Sequence, residues 1–418
     1  MTHSLMSCVF LPQFDSFFVS VGLRDRPELR ERPVVVCHAR GQMEGSPTRA
    51  QSGGTDVVAQ SSTSEIASCN YVAREYGVKN GMSLGQAKTK CADVIAIPYD
   101  FKAYDDIAIQ FYTILIEHAD AIEAVSVDEA LIDVSFLMDE MANGKRREGA
   151  IYEKYMHYLG SQGDSWTVEK QFAEALRDVI RERTRTEASI GIGSNVILAR
   201  LATRKAKPGG SYHLLDDDVS SFLAELDVDD LHGIGWSARE KCKREFNCFK
   251  ISELLEKTGE ASFRAAFGPK EGATYWAKMH GKDREKLVGG AVRNSIGAAV
   301  NYAMRFKDQK EAETFVNNLC REVTDRMERS KYVGRKVWVH IMVRSKDAPV
   351  EAPKFLGHGV CDNYHKSITL PKATRDVNVL RRNAWALIEG LNVDPRELRG
   401  IGIGMETLSK TDEKGGLI

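Results

Sequence analysis

The first half of the sequence alternates short apolar runs with longer stretches in which apolar residues recur every three or four positions. Short apolar runs predict buried strands, and the longer spacing predicts amphipathic helices. We expect strands at residues 7–11, 34–37, 94–97, 122–127, 130–136 and 189–193. Helices are expected from residue 17 onward and at 65–76, 83–91, 101–118, 168–184 and 194–206. This order predicts an α/β sheet covered by helices.

The pattern changes twice more along the chain. Residues 40–63 and 137–165 are polar and lack periodicity, so we expect two surface insertions there. Short helices predicted within 219–226 and 240–246 indicate a small all-helical domain at 216–288. Beyond it we expect strands at 293–305, 336–344 and 398–405, and helices at 310–328 and 377–391. The chain is therefore expected to be an α+β multidomain protein.

Composition narrows the class of protein. A length of 418 residues suggests about three domains, and 43% apolar with 28% charged residues is ordinary for a soluble globular chain. The sequence contains neither a membrane-length apolar run nor a charged-then-apolar leader, which excludes an integral membrane protein and disfavours secretion. The eight cysteines form no CxxC pair, so we expect reduced core thiols and no zinc knuckle.

Charge is unevenly distributed, although the chain as a whole has a net charge of −1. Residues 291–400 contain 20 Lys and Arg against 13 Asp and Glu. A basic module joined to an acidic body is typical of an enzyme that grips a polyanion in one part and holds cations in another. Ordinary variation of charge between domains is an equally good explanation at this point.

The acidic pair Asp128-Glu129 separates two predicted strands. Neighbouring side chains in a regular strand point to opposite faces, so the pair could share a ligand only at a two-residue hairpin tip. Mg²⁺ usually takes one or two carboxylates together with substrate phosphates. A solvated acidic turn is the alternative, and it is the commoner case for such a pentapeptide taken alone.

Three further segments could bind phosphate. Residues 13–18 join a strand to a helix, where free N–H groups suit a triphosphate and two adjacent phenylalanines could flank a sugar. Tyr71 and Arg74 stand three apart and share a helix face, and Lys207 lies where a helix breaks at Pro-Gly. The alternatives are a capped helix with core phenylalanines, an exposed Arg beside a half-buried Tyr, and a plain helix cap.

The segment Leu231-His232-Gly233-Ile234-Gly235 lies between two short predicted helices. A Gly-x-Gly turn there lets backbone N–H groups approach a DNA phosphate, as in a helix–hairpin–helix. An ordinary helical corner is the alternative. Each of these motifs is weak alone, and their order along one chain carries more weight.

Taken together, the segments resemble the Y-family translesion DNA polymerases, and closely their deoxycytidyl transferase branch. The family match lies in residues 14–18, 68–82, 125–133 and 191–209 and in the helix–hairpin–helix. The match to the branch lies in residues 341–344, 354–363 and 398–402. The resemblance covers nearly all of residues 14–408, interrupted by the two insertions, and corresponds to the UmuC-like catalytic core.

The resemblance implies a right-hand polymerase with palm (1–33 and 93–215), fingers (34–92), thumb (216–288), little finger (292–408) and a tail (409–418). It implies template-dependent nucleotidyl transfer with two Mg²⁺ ions, inserting dCMP opposite template G or abasic and damaged sites. The expected partners are primer–template DNA, a dNTP (dCTP) and other translesion polymerases bound through regions outside this sequence. The expected setting is DNA repair in the nucleus, away from membranes.

The resemblance also implies roles for individual residues. The catalytic and metal-binding set is Asp128, Glu129, the backbone carbonyl of Phe14, and Gln13 at the position of the family's first metal aspartate. The nucleotide-binding set is Phe17, Phe18, Ser68, Tyr71, Arg74, Asn80 and Lys207, with Phe18 as the steric gate against ribonucleotides. The DNA-binding set is Gly233, Ile234, Gly235, Trp236, Asn301, Tyr302, Arg305, Gly357, His358 and Gly359, and the loop carrying the last three receives a displaced template guanine.

Two features depart from the family pattern. Gln13 is a neutral amide where the family has an aspartate, and the arginine that selects dCTP belongs to a segment preceding the first strand that this sequence lacks. The flanks used for ubiquitin and partner binding are also missing from the sequence. We therefore consider a DNA-binding scaffold with weak or no catalysis as the alternative function. We also hypothesise that residues 1–13 come from an incorrect gene model.

Overall fold

The computed structural model describes residues 8–38, 62, 64–145, 148–162, 166–290, 293–352 and 356–411. Contacts divide the chain into two compact units, Met1–Gly290 and Ala291–Ile418. Among the described helices, none is both long enough and apolar enough to cross a membrane.

The first unit is built on a five-stranded sheet with the order β5-β6-β1-β7-β8. The strands are β1 (Val9–Phe14), β5 (Ala121–Ala124), β6 (Ala130–Asp133), β7 (Ala188–Gly193) and β8 (Ser211–His213). All neighbouring pairs are antiparallel except β7 and β8, which are parallel. The central strand β1 therefore pairs with both β6 and β7.

The two faces of β1 belong to different cores because successive side chains point to opposite sides of a sheet. Phe10 and Phe14 pack into a large core with α4 (Phe101–Ile116) and α7 (Val168–Thr184). Val9 and Leu11 pack instead against α8 (Val196–Ala206). This alternation decides which helix Gln13 can contact.

A second, three-stranded sheet has the order β3-β2-β4 and lies in the same unit. It comprises β2 (Val34–Cys37), β3 (Ile66–Cys69) and β4 (Ile95–Ile97), with the helices α1 (Phe17–Gly22), α2 (Tyr71–Glu75) and α3 (Leu84–Lys90) nearby in sequence. The predicted helix at 65–76 is wrong in its first half. Ile66 and Cys69 pair with β2 and are buried, so the helix begins only after Asn70 caps it.

The predicted irregular stretch at 137–165 is also wrong. It contains most of α5 (Ser135–Ala142) and α6 (Ala150–Gln162), whose apolar side chains, Leu137 and Ile151 among them, join the large core. The strand expected at 130–136 ends at Asp133, because Ser135 begins α5. The predicted insertion at 40–63 lies outside the described residues, apart from Ser62.

The regular elements after β8 in the first unit are helices. They are α9 (Val219–Ala224), α10 (Trp236–Phe246), α11 (Ile251–Lys257), α12 (Glu260–Phe267) and α13 (Pro269–Met279), with short 3-10 turns at Asp216–Asp218 and Val228–Asp230. Their core is shared with Leu198 and Leu201 of α8. Because α8 also packs on β1, this helix joins the sheet to the helical part of the unit.

The second unit has one antiparallel sheet with the order β11-β10-β12-β9. The elements are β9 (Ser295–Val300), α14 (Gln309–Arg329), β10 (Tyr332–Arg344), β11 (Cys361–Thr374), α15 (Val377–Glu389) and β12 (Leu398–Lys410). Alternate residues of β10 and β12, such as Val339 and Ile403, pack in one core with the two helices. On the other sheet face Trp338 lies against Gly404, where an added Cβ would come within 2.5 Å of the indole. The sequence did not predict β11, which is largely exposed.

Candidate active site around the acidic pair

Gln13 and Glu129 are neighbours on adjacent strands. The ladder between β1 and β6 pairs Val9 with Asp133 and Phe10 with Ile132. It lapses over Leu11 and Pro12 and resumes as a single antiparallel bridge between Gln13 and Glu129. The lapse follows from the missing N–H of proline. The side-chain Nε2 of Gln13 donates to Oε2 of Glu129 at 3.2 Å.

The turn that carries the acidic pair is wider than the predicted two-residue tip. Residues 126–128 form the bend, whereas Glu129 is already bridged to Gln13. The Tyr112 hydroxyl donates to the carbonyl oxygen of Glu129 at 2.9 Å and fixes that end of the turn. The placement of both carboxylates at the tip is therefore wrong, because only Asp128 lies in the bend.

The main chain brings Phe14 next to Asp128. The backbone N–H of Phe14 donates to the carbonyl oxygen of Asp128 at 3.0 Å. The Asp128 side chain is half-buried and accepts a hydrogen bond from the Ser126 hydroxyl. The family's acidic pair and the backbone position of Phe14 thus lie together at one end of β1.

Arg200 of α8 is the charged partner of Glu129. Its Nη1 lies 2.7 Å from Oε1, and the two side chains are only 19% and 15% exposed. Gln13, Glu129 and Arg200 line a cavity of about 170 Å³ together with Leu11, Leu201, Thr203, Arg204, Asp230 and His232. The carboxylate of Glu129 therefore faces two donors, one of them a fixed cation.

Asp15 is a third carboxylate at this end of the sheet, beside the acidic pair, and is only 4% exposed. It accepts hydrogen bonds from the hydroxyl of Ser189 at 2.9 and 3.1 Å, from the hydroxyl of Tyr71 at 3.3 Å and from the backbone N–H of Gly209 at 2.7 Å. These donors come from β7, α2 and the turn after α8. One buried carboxylate therefore holds three segments together.

Tyr71, Arg74 and Lys207 surround Asp15. The guanidinium of Arg74 lies 4.8 Å from the ring centre of Tyr71, and its Nη2 donates to the Ser16 hydroxyl at 3.3 Å. Burial, reinforced by Asp15, raises the pKa of Tyr71 to about 12, so the phenol stays protonated. Burial lowers the pKa of Lys207, against the opposing effect of nearby Asp15 and Asp128. The structure brings these three predicted phosphate ligands into one cluster.

The remaining predicted nucleotide contacts line or support the same region. Phe17 is buried and stacks on Phe14 with ring centres 5.3 Å apart. Phe18 is half-buried, with its ring centre 4.8 Å from that of Tyr104. Asn80 is exposed, and its Oδ1 accepts from the backbone N–H of Cys69 at 3.1 Å. Ser68 is buried in β3, so its side chain has little surface to offer a ligand.

The donor set fits a hard divalent cation only in part. Asp128, Glu129 and a main-chain carbonyl at Phe14 are oxygen donors of the kind that Mg²⁺ takes. Gln13 adds an amide with no charge, and its NH₂ group faces Glu129. Over the described residues, no cluster of three or more His, Cys, Asp or Glu side chains is arranged to hold a metal. The residues present therefore fit one cation better than two.

The predicted helix–hairpin–helix contacts lie at the start of α10. Gly233 has φ +86°, a conformation that favours glycine, and Ile234 is buried in the helical core. Trp236 is 72% exposed at the first position of the helix. Lys278 donates to the carbonyl of His232 at 2.8 Å and supports the turn.

In the second unit, the predicted base-receiving loop is held by arginines. Arg305 contacts Glu351 at 3.1 Å and donates to the carbonyl of Gly357 at 3.2 Å, so it positions the loop. Buried Arg399 donates to the carbonyl of Val350 at 3.3 Å. Gly357 is buried. The other predicted DNA contacts in this unit are exposed or half-exposed, namely Asn301, Tyr302, His358 and Gly359.

The comparisons with known proteins agree with this arrangement. The impB/mucB/samB family matches residues 13–204, its C-terminal domain matches 293–417 and its HHH motif matches 216–247. The chain belongs to this family, the Y-family DNA polymerases. The match begins at the position of Gln13.

Curated relatives point to the expected branch. The DNA repair protein REV1 of Arabidopsis thaliana is 35% identical over 403 residues, which cover 95% of this chain and 32% of the relative. DNA repair protein Rev1 of Drosophila melanogaster is 33% identical, over 96% of this chain and 40% of the relative. DNA polymerase IV 2 of Methanosarcina mazei is 26% identical, over 98% of this chain and 95% of the relative. The chain spans less than half the length of the two REV1 relatives.

The fold is shared with a solved polymerase. The Y-family DNA polymerase chimera Dbh-Dpo4(243-245)-Dbh aligns with a TM-score of 0.69 and 21% identity, covering 96% of this chain and 98% of the other. This likeness confirms the predicted α+β multidomain polymerase fold. The predicted boundaries of palm, fingers, thumb and little finger stay predictions.

Two polar residues of the site escaped sequence reasoning. Asp15 stands beside Phe14 in the sequence, but nothing local shows that its carboxylate is buried. Arg200 lies 71 residues from Glu129, and its pairing depends on α8 crossing β1. A signal was available for Asp15, since a carboxylate between two phenylalanine-rich segments needs partners if it is buried.

Proposed function

We propose that this chain is the catalytic core of a translesion DNA polymerase that adds a deoxynucleotide to a primer opposite a template base. The observation that carries the proposal is the cluster at one end of β1, where an acidic pair lies near Tyr71, Arg74 and Lys207. Three phosphate-binding side chains next to two carboxylates suit a nucleoside triphosphate and its cation. Family membership supports the same activity.

The residues of the site would share the work as follows. Arg74 and Lys207 would bind the triphosphate by charge, and Tyr71 would orient Arg74 through the contact with its ring. Phe18 would lie against the sugar and exclude a ribonucleotide. Phe17 would support Phe18 in this position through its own stacking on Phe14.

Y-family polymerases use divalent metal ions, and we propose Mg²⁺ at Asp128, Glu129 and the carbonyl of Phe14. A bound cation there would lower the pKa of the primer hydroxyl and offset the charge of the triphosphate. The resemblance implies two such ions. A second ion would need charge at the position that Gln13 occupies.

We propose dCTP as the nucleotide and primer–template DNA as the partner, on the strength of the REV1 relatives. The exposed Trp236 and the turn before it would contact the DNA backbone, together with the basic second unit. A nuclear location in DNA repair, and binding of other translesion polymerases through regions outside this sequence, belong to the same proposal.

A scaffold of the same fold is the second candidate, and one observation favours it. Both oxygens of Glu129 already face donors, from Gln13 and Arg200. If these contacts persist when nucleotide is present, the acidic pair holds its cation poorly and catalysis is weak. Such a protein would still bind DNA.

Single-nucleotide incorporation separates the two candidates. A labelled primer on templates presenting G, A, T, C or an abasic site would be incubated with each dNTP, Mg²⁺ and the full chain. We expect insertion of dCMP opposite G above the level of the Asp128→Ala control. Extension no greater than that control, with DNA binding intact, would favour the scaffold.

A further inference from the structure

Arg200 and Glu129 form an ion pair where the family places a metal ligand. The pair is 2.7 Å long, and both side chains are largely buried. Gln13 donates to the second carboxylate oxygen at 3.2 Å. Glu129 is therefore neutralised by a protein group before any ion arrives.

The charges at this point distinguish Gln13 from an aspartate. Asp128 and Glu129 supply two negative charges, and Arg200 offsets one because a guanidinium does not lose its proton in proteins. An aspartate at position 13 would add a third negative charge next to this pair, apart from that of Asp15, which is already bound by other donors. With the amide, one positive charge from the protein and one divalent ion already exceed the charge of the two carboxylates.

The guanidinium of Arg200 is anchored by its contact with Glu129. Its Nε is buried and has no hydrogen-bond acceptor among the described residues. The adjoining cavity of about 170 Å³ is the open space beside it. The guanidinium is held by Glu129 and its Nε is buried, so its positive charge lies beside the acidic pair.

We propose that Arg200 takes the electrostatic place of a second cation, so that the acidic pair of this chain holds one divalent ion and binds it in competition with the guanidinium. The inference rests on the proposed function, because the ion is the one proposed for nucleotidyl transfer. It assigns Arg200 as a positioning residue that acts through Glu129.

Arg204 provides a matched control within the chain. It lies one turn further along α8 and lines the same cavity, but it pairs with Asp230 at 3.1 Å. Replacing either arginine removes one positive charge from the same helix. Only Arg200 contacts the acidic pair.

Mn²⁺ serves as the probe, because its free ion gives an electron paramagnetic resonance signal that is lost on binding. In the full chain without nucleotide, Arg200→Gln should bind Mn²⁺ about tenfold more tightly, since a unit charge close to a divalent ion is removed. Arg204→Gln should change the affinity by less than about twofold, and Arg200→Lys should stay close to the original chain. Thermal melting checks that each variant is folded.

Stoichiometry gives a second reading that does not need an Arg200 variant. With protein, dideoxy-terminated primer–template and dCTP in equal amounts, well above their dissociation constants, we expect one Mn²⁺ per dCTP for the chain as it is and two for Gln13→Asp. Two Mn²⁺ per dCTP without the substitution, or unchanged affinity in a folded Arg200→Gln, would overturn the inference. Absent incorporation beside the expected Mn²⁺ results would contradict the proposed function alone.

Discussion

The backbone N–H of Gly209 donates to Oδ2 of Asp15 at 2.7 Å. This bond fixes the turn that carries Lys207 to the short link between β1 and α1, at the residue two positions after Gln13. The same carboxylate accepts from Tyr71. Asp15 thereby sets the distance between Lys207 and Tyr71, which we propose to bind the triphosphate, although its own carboxylate is buried.

We expect Asp15→Asn to weaken nucleotide use more than DNA binding. The amide keeps one oxygen acceptor but loses the charge and one acceptor, so Gly209 and Tyr71 compete for what remains. Substituting residues that orient the ligands of a metal site typically lowers activity by roughly 10–100-fold. We expect a loss of about that size in kcat/KM. Most of it should fall on the KM for dNTP.

Ser189→Ala is the matched control for Asp15. It removes one hydrogen bond to the same carboxylate without touching Tyr71 or Gly209. We expect a smaller kinetic effect and a loss of stability of about 1 kcal/mol. Equal KM values in Asp15→Asn and the original chain would show that Asp15 has only a structural role.

The sequence predicted the fold class well because most elements have strong local patterns. The helix at Val168–Thr184 was predicted to the residue, since its apolar face and its Thr167 cap are both local. Predictions were wrong where pairing overrode the pattern. Ile66–Cys69 became a strand through its partner β2, and exposed β11 carries little apolar alternation to detect.

The site could be predicted in its residues but not in its contacts. The acidic pair and the residues that we propose to bind the triphosphate were recognised from motifs, and Tyr71, Arg74 and Lys207 lie close together in the structure. The partners of Glu129 and Asp15 come from 71 and 194 residues away, and no local pattern encodes them. This is why the sequence placed Glu129 at a hairpin tip and did not predict its contacts with Arg200 and Gln13.

We expect the two acidic residues to differ in their effect on stability. Asp128→Ala and Glu129→Ala should each abolish incorporation if they hold the cation. Glu129→Ala also leaves Arg200 largely buried without its partner, which should cost about 1–3 kcal/mol. Asp128 lies in the bend, so the free energy of unfolding of Asp128→Ala should stay within about 0.5 kcal/mol of that of the original chain. Primer extension by the double variant would show that the pair is not the metal site.

The second unit should supply much of the DNA affinity. Its excess of Lys and Arg predicts many phosphate contacts, so log K for primer–template DNA should fall steeply and linearly with log salt. A chain ending at Gly290 retains the cores of the first unit and should show a shallower slope. Unchanged affinity at about 0.1 M salt would refute the assignment.

Lys207 gives a pH dependence of nucleotide binding. Burial lowers the pKa of Lys207, so its charge is lost at a lower pH than for an ordinary lysine. The bound triphosphate favours the charged form, and affinity for dNTP should therefore fall as pH rises through that pKa. Lys207→Arg keeps its charge and should flatten this alkaline decline. Fluorescence titration with dCTP at a series of pH values measures this affinity. An abasic template is used because a template guanine would itself ionise at alkaline pH.

Gln13→Asp should speed incorporation by the chain. The aspartate adds the negative charge that a second cation needs and removes the amide that now donates to Glu129. The gain should exceed the roughly 10–100-fold typical of groups that only orient metal ligands, and it should appear mainly in the chemical step. The relative rates of the four dNTPs should not change, because the substitution adds no group that reads the base. Rapid-quench measurement of one insertion opposite template G with each dNTP tests both parts. Equal rates for the two chains would mean that Gln13 does not lie at the metal position, despite its bridge to Glu129.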